Sequence, residues 1–263
     1  MGLVRSDPGP VWRLTLDRPD ARNAVSERML EDLVSTLEEA ALDPDARVVL
    51  LSGEGSDFCA GADIAELDEA AGGPGGLRYG RTFERALTAV AEHPLPVISS
   101  IHGSALGAGC QIAVACDLAV AAEDARIGIP SARLGIVINF ENVQRLVLAV
   151  GPKRAGEILF TGRTLSGTEA AAWGLVNEAV PPTSLRERAG ELAQSVAGAA
   201  PLSVRGSKRG IAEVLAHLSI DRRRDGERLA AFDALAAEAF ASEDLREGIR
   251  AFRERRRPEF RGR

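Results

Sequence analysis

The 263-residue chain carries 32 Lys and Arg against 38 Asp and Glu, a formal charge of −6 at pH 7. That balance disfavours a whole-surface role on nucleic acid or an anionic membrane, and the length suits one large α/β domain, alone or with a small helical appendage. Hydrophobic residues make up 45% but aromatics only 4%, so close packing through alanine is expected instead of an aromatic core.

Val11 to Asp17 alternates apolar and polar residues and predicts a strand. Arg18-Pro19-Asp20 breaks it. Ser26 is placed to cap a helix reaching about Leu42, with Met29, Leu30, Leu33, Val34 and Leu37 at helical spacing. Val48 to Leu51 reads as a buried strand, followed by a glycine-bearing loop around Asp57 to Asp63. Ala71 to Gly76, with four glycines and a proline, predicts an irregular, mobile stretch. Leu77 to Glu92 is helical and His93-Pro94 stops it. Pro96 to Ile101 is a second buried strand, and Gly103 to Ala115 turns into a helix through Leu106 to Gly109. Asp117 to Ala121 and Arg126 to Ile129 are short strands, and helices return after Asn139. Ser166 to Glu169 and Ser184 to Glu187 both fit the S-x-x-E capping box. From Pro181 onward the chain is mostly helical. Strands alternating with helices, then a helical end, argue for an α/β fold with parallel pairing.

Cys59, Cys110 and Cys116 lack metal-ligand spacing and cannot all pair, so a reducing cytoplasm is expected, with no metal. Met1 to Pro10 lacks the apolar core of a signal peptide, and no apolar run approaches the roughly 20 residues that span a bilayer. Neither G-x-G-x-x-G nor G-x-x-x-x-G-K-[ST] follows a strand, which removes the common nucleotide-binding readings.

Two segments are specific in combination: Phe58-Cys59-Ala60-Gly61-Ala62-Asp63-Ile64 and Ile101-His102-Gly103-Ser104-Ala105-Leu106-Gly107-Ala108-Gly109-Cys110. With Arg18-Pro19, Ala21 to Ala24, Cys116-Asp117-Leu118, Gly162-Arg163 and Ala171 to Val176 in the same order, they resemble the signature loops of the crotonase (enoyl-CoA hydratase/isomerase) superfamily over about residues 11–182. The resemblance implies a crotonase-like ββα spiral over residues 1–200 and a C-terminal helical trimerisation region over 201–263. It implies an acyl-CoA thioester as ligand, no separate cofactor, and a homotrimer or hexamer.

The chemistry is coherent on its own terms. A thioester gains negative charge on oxygen as an enolate forms, and two backbone N–H groups aimed at that oxygen stabilise it without any titratable group. The resemblance places these donors at Ala62 and Ala108, the second opening a helix whose positive end favours an anion. It places a CoA-binding turn at Arg22 to Ala24, with backbone groups of Ala60, Ala62, Asp63 and Ile64 facing adenine and pantetheine, and Lys208, Arg209 and the tail arginines near phosphates.

Hydratases of this family use two glutamates. Their positions are Gln111 and Ser131 here, and neither side chain takes a proton usefully near neutral pH. A further acid of some relatives falls at Asn139, again neutral, which leaves Glu141 as the candidate base. Glu66, His93 and His102 are expected to be structural, Asp63 to brace its own loop, Asp117 to order the turn into its strand, and Cys59 and Cys110 to be small buried residues. The acyl pocket is expected between Leu67 to Arg85 and Ile136 to Phe140. Three readings follow: an isomerase or atypical hydratase using a base; a decarboxylase, which needs none; and a non-catalytic acyl-CoA binder.

Overall fold

The computed structural model describes residues 4–70, 74–218 and 222–262. Strand β1 (Val4–Asp7) turns through Pro8-Gly9-Pro10 into β2 (Val11–Leu16). Helix α1 (Glu27–Leu42) starts where Ser26 accepts a hydrogen bond from Met29 N, and it buries the predicted stripe together with Ala40. Strand β3 (Val48–Gly53), the short α2 (Ile64–Ala70) and α3 (Pro74–Ala91) come next. Then come β4 (Val97–Ile101), β5 (Ser104–Leu106), α4 (Ala108–Ala115), β6 (Leu118–Ala122) and β7 (Arg126–Gly128). Helix α5 (Phe140–Thr161) follows, broken at Gly151-Pro152 where Gly151 has φ of 79°. Strand β8 (Leu165–Ser166), α6 (Gly167–Trp173), β9 (Glu178–Val180) and α7 (Leu185–Ala197) complete the mixed part. Helices α8 (Pro201–Leu218), α9 (Arg222–Ala241) and α10 (Glu243–Arg253) form the end of the chain.

The main sheet has the order β1-β2-β3-β4-β6-β9. Only the β1–β2 pair is antiparallel. Val48 to Leu51 and all of β4 are buried, as parallel strands covered on both faces must be. Helix α7 packs across β2, β3, β4 and β6. A second sheet, β5-β7-β8, grows from the segment after β4. Helix α4 is buried at seven of its eight residues, which its near-uniform small and apolar sequence permits.

Several expectations change. The stretch predicted to be irregular begins α3 at Pro74, whose ring suits the first turn of a helix and lacks only an N–H that would be unpaired there; Ala71 to Gly73 lie outside the described residues. Gly103 leads first into strand β5 rather than directly into a helix, because Ser104 to Leu106 pair with β7. Ser166 forms the full capping box with Glu169. Ser184 does not: its backbone is already helical at φ −99°, ψ −7°, and its side chain makes no cap bond.

The late helices divide in two. Helix α8 buries none of its residues and exposes Leu202, Ile211, Val214, Leu215 and Leu218. The segment after it returns to its own core: Leu229 is buried, and Phe232 meets Phe140 edge-on at 5.6 Å. Helix α10 presses so closely on the 130–135 turn that a side chain at Gly248 would meet Leu134 O at 2.5 Å.

Candidate active site

The loops after β3 and β4 are laced together by backbone bonds. Phe58 N donates to His102 O (2.9 Å), Cys59 N to Ser104 O (2.9 Å) and Leu106 N to Cys59 O (3.0 Å). Such contact requires glycine. A Cβ on Gly109 would lie 2.3 Å from Cys59 O; one on Gly107 would make only ordinary contact with Gly61 Cα at 3.9 Å, so there it is the backbone conformation that calls for glycine. Gly61 and Gly107 also hold φ of +129° and +54°, conformations that side-chain-bearing residues rarely adopt. Each of these two neighbouring glycines is followed by an alanine, Ala62 or Ala108. Among the described residues, neither alanine's N–H donates to a backbone or side-chain acceptor. Ala108 is the first residue of α4, where the N–H lies outside the intrahelical ladder and at the positive end of the helix.

A polar network centred on Asp57 holds the neighbouring turn. Arg22 donates from Nε to Asp57 Oδ2 and from Nη2 to Asp57 Oδ1, both at 3.0 Å, while Ser56 Oγ (2.7 Å) and Ser104 N (2.8 Å) donate to the same carboxylate. The Arg22 guanidinium, helped by the serines, holds the Asp57 carboxyl well below the usual carboxylate range. Arg22 and Asn23 both sit at positive φ (53° and 55°), and Asn23 Nδ2 stabilises that shape by donating to Asp57 O and Glu54 O. Arg18 bonds Ala24 O (3.1 Å) and Asp63 Oδ2 (2.6 Å). Asp63 also accepts from Ala65 N at 2.9 Å; burial works against its charge, but the Arg18 and Ala65 bonds prevail and its pKa falls.

The backbone donors expected to face the ligand are partly committed. Ala24 N donates to Ala21 O, Ala60 N to Arg22 O and Asp63 N to Val25 O. These three residues therefore shape the turn with their N–H groups. Ala62 and Ile64 are left with N–H groups that bond no described residue. Lys208 is also committed elsewhere. Its Nζ donates to Asp117 Oδ2 (2.7 Å) and Leu95 O (3.0 Å), at the start of β4, the opposite end of the strand from the glycine loops. Phosphate binding at the Arg22 turn of its own chain is incompatible with that placement. Asp117 also accepts from Val97 N at 2.7 Å, which orders the entry to β4.

Gln111 lies one turn into α4, is 8% exposed, and its amide bonds no described residue. Ser131 sits half-buried in the 3-10 turn Pro130–Arg133. Asn139 occupies the N-cap position of α5 without capping it; its amide donates to Glu84 Oε2 and accepts from Asn142 Nδ2. Glu141 is half-buried in the first turn of α5, where a carboxylate suits the helix dipole.

The remaining candidates are structural. Glu66 accepts from Glu27 N at 2.7 Å, at the start of α1, and burial raises its pKa. His93 bonds Leu37 O and the Leu95 backbone, and burial lowers its pKa. His102 bonds Gly55 O. Burial pushes the Cys59 and Cys110 thiols up to about 12, which rules out thiolate nucleophiles near neutral pH.

The enoyl-CoA hydratase/isomerase family model matches residues 7–263. The chain belongs to that family. A 2,3-dehydroadipyl-CoA hydratase of Escherichia coli is 35% identical over 99% of both chains. A short-chain-enoyl-CoA hydratase of Clostridium acetobutylicum is 34% identical over 98% of this chain and 96% of the relative. Among solved structures, a methylmalonyl-CoA decarboxylase in complex with 2-nitronate-propionyl-CoA superposes with a TM-score of 0.89 at 25% identity, covering 99% of each chain. The architecture is thus the crotonase-like α/β fold with C-terminal helices.

Within this enoyl-CoA hydratase/isomerase family member, three residues of the site escaped sequence reasoning. Asp57 stood in the quoted loop, but nothing in the sequence joined it to Arg22, 35 positions earlier. Tyr79 is buried and its hydroxyl donates to Val25 O at 2.9 Å, tying α3 to the residue whose own N–H bonds Gly61 O. Glu84 fell inside the expected pocket-lining stretch, yet only the fold brings it to Asn139 and to Arg145, whose Nη1 reaches Glu84 Oε1 at 3.3 Å. No described group of three or more His, Cys, Asp or Glu residues is arranged to hold a metal, and no described helix is long and apolar enough to cross a membrane.

Proposed function

We propose that this chain binds an acyl-CoA thioester and stabilises its enolate between the N–H groups of Ala62 and Ala108. What supports this most is the pair of open backbone donors, each placed directly after one of two neighbouring positive-φ glycines. Preorganised donors need no reorientation as charge develops, and each contributes about 2.7–4 kcal/mol in such sites. Coenzyme A is then part of the substrate and no separate cofactor is needed. The reaction is a proton transfer of the isomerase or hydratase type, atypical because Gln111 and Ser131 stand where the hydratases carry glutamates.

Decarboxylation of a malonyl-type CoA is the second reading. It gains support from the neutrality of Gln111 and Ser131, which would not repel a substrate carboxylate, and from the likeness to the decarboxylase. Release of CO₂ from malonyl-, methylmalonyl- or ethylmalonyl-CoA distinguishes it. A purely binding role predicts affinity for CoA esters with turnover of none.

The test of the shared claim is spectroscopic. Acetoacetyl-CoA bound in an oxyanion hole shows an increased near-ultraviolet enolate band. Ala108→Pro removes one donor at a helix position that tolerates proline. It should weaken that band's apparent affinity by about 10²–10³-fold. An unchanged band in the variant refutes the proposal. The exposed apolar side chains of α8 support assembly into a homotrimer or hexamer, and the unpaired cysteines suit a reducing cytoplasm.

A further inference from the structure

The enolate reading leaves a gap, since proton transfer needs a general acid/base and both glutamate positions are neutral. Glu84 lies on α3, whose Tyr79 hydroxyl is bonded to Val25 O. Val25 N in turn donates to Gly61 O, directly before Ala62. Helix α3 also packs on α4, the helix that opens with Ala108 and carries Gln111. From the other side, the start of α5 delivers Asn139 and Arg145 onto the same carboxylate. Glu84 thus stands on the helix that packs against the one Ala108 opens, and it is bonded to the residue at the third acid position.

We propose that Glu84 is the general acid/base of this site. Asn139 Nδ2 holds Oε2 and Arg145 Nη1 holds Oε1, and Arg145 is itself steadied by Asn142 Oδ1 at 2.8 Å. Each carboxylate oxygen has about two acceptor directions, so one donor per oxygen fixes the group and leaves it able to accept a proton. The Glu84 and Arg145 side chains are 26% and 23% exposed, so the group is shielded but reachable. In the step, a Glu84 oxygen takes the proton from the carbon next to the thioester. The C–H electron pair becomes the enolate double bond, and the thioester oxygen carries the charge against Ala62 and Ala108. Reprotonation by the neutral Glu84 returns the acyl chain, at the same or the conjugate carbon. Asn139 and Arg145 act as positioning residues.

The proposal rests on the enolate reading, so the experiment separates the two. Butyryl-CoA is incubated with the full chain in D₂O and deuterium at the α-carbon is followed by mass spectrometry, while the acetoacetyl-CoA enolate band reports binding on the same samples. We expect exchange by the native protein, a loss of about 10²–10⁴-fold in Glu84→Gln, partial recovery in Glu84→Asp, and binding within a fewfold throughout. Absence of the band in the native protein overturns the enolate reading itself. A band without exchange in the native protein, exchange unchanged in Glu84→Gln, loss of binding in that variant, or exchange lost in Glu141→Gln but kept in Glu84→Gln each overturns the assignment of Glu84.

Discussion

Asp57→Ala is the perturbation whose consequences the structure fixes most fully. The substitution deletes the acceptor of four hydrogen bonds, two from Arg22 and one each from Ser56 and Ser104. They do not weigh equally. Ser104 is 2% exposed, so its N–H stays dry and unpaired, at a cost of about 1–3 kcal/mol. The Arg22 side chain is 53% exposed, so water recovers most of its solvation and the ion pair itself contributes only about 0–1 kcal/mol. The sum is about 1–4 kcal/mol, or roughly 2–16 °C in melting temperature for a chain of this size. Asp57→Asn keeps an acceptor for Ser104 and should lose about 1 kcal/mol.

The pH dependence adds a second readout. The native carboxyl has a lowered pKa, so its stabilisation is complete above the unfolded value of about 3.9 and disappears as pH falls through the folded value. Thermal melts of the native protein should steepen in their acid decline below about pH 4, and Asp57→Asn should lack that component. Because the Arg22 turn hangs on the same carboxylate, acetoacetyl-CoA should bind Asp57→Ala more weakly as well. A variant melting within about 2 °C of the native protein, with unchanged affinity, would refute the view that Asp57 joins the turn to the glycine loops.

Gly109→Ala forces a Cβ to 2.3 Å from Cys59 O, a backbone atom that cannot swing away; we expect a loss of about 2–3 kcal/mol in chemical denaturation and of the enolate band. His93 is buried and neutral. Leu95 N donates to its Nδ1, which leaves Nε2 as the donor to Leu37 O. Its lowered pKa means stability is full above about pH 6.5 and falls as the pH drops toward the folded value. Melts of His93→Gln should show a shallower decline from pH 6.5 to 5, and an identical slope argues against this role. Placing charge on α8 with Ile211→Glu and Val214→Glu should dissociate the proposed trimer or hexamer in sedimentation velocity; an unaltered assembly would show that α8 is not the interface.

What could be read in the sequence was what local chemistry controls. The Ser26 cap, the stripe on α1, the buried runs of β3 and β4 and the glycine loops all show in residue types at short spacing. Where competing signals met, local reading failed. Pro74 begins a helix despite two following glycines, and Ser184 forfeits its capping box to the 3-10 turn Pro182–Ser184. Asp57 to Arg22 and Glu84 to Asn139 span 35 and 55 positions, and no single sequence carries a signal at that range. The arrangement of the late helices was open in the same way. Phe232 and Leu229 found partners within the chain, whereas Leu235 is 60% exposed.

Lys208, Asp117 and His93 gather where β4 enters the sheet, and the glycine loops leave from where it exits. Structural anchoring and the proposed ligand-handling loops therefore occupy opposite poles of one strand. On the proposed reading, residues of α3 and early α5 other than Tyr79, Glu84, Asn139 and Arg145 would be the ones to exchange for longer, shorter or more polar acyl groups, with the anchoring pole intact. If the proposed reading holds, a change of selectivity would fall at one end of the strand, apart from the bonds that anchor the other.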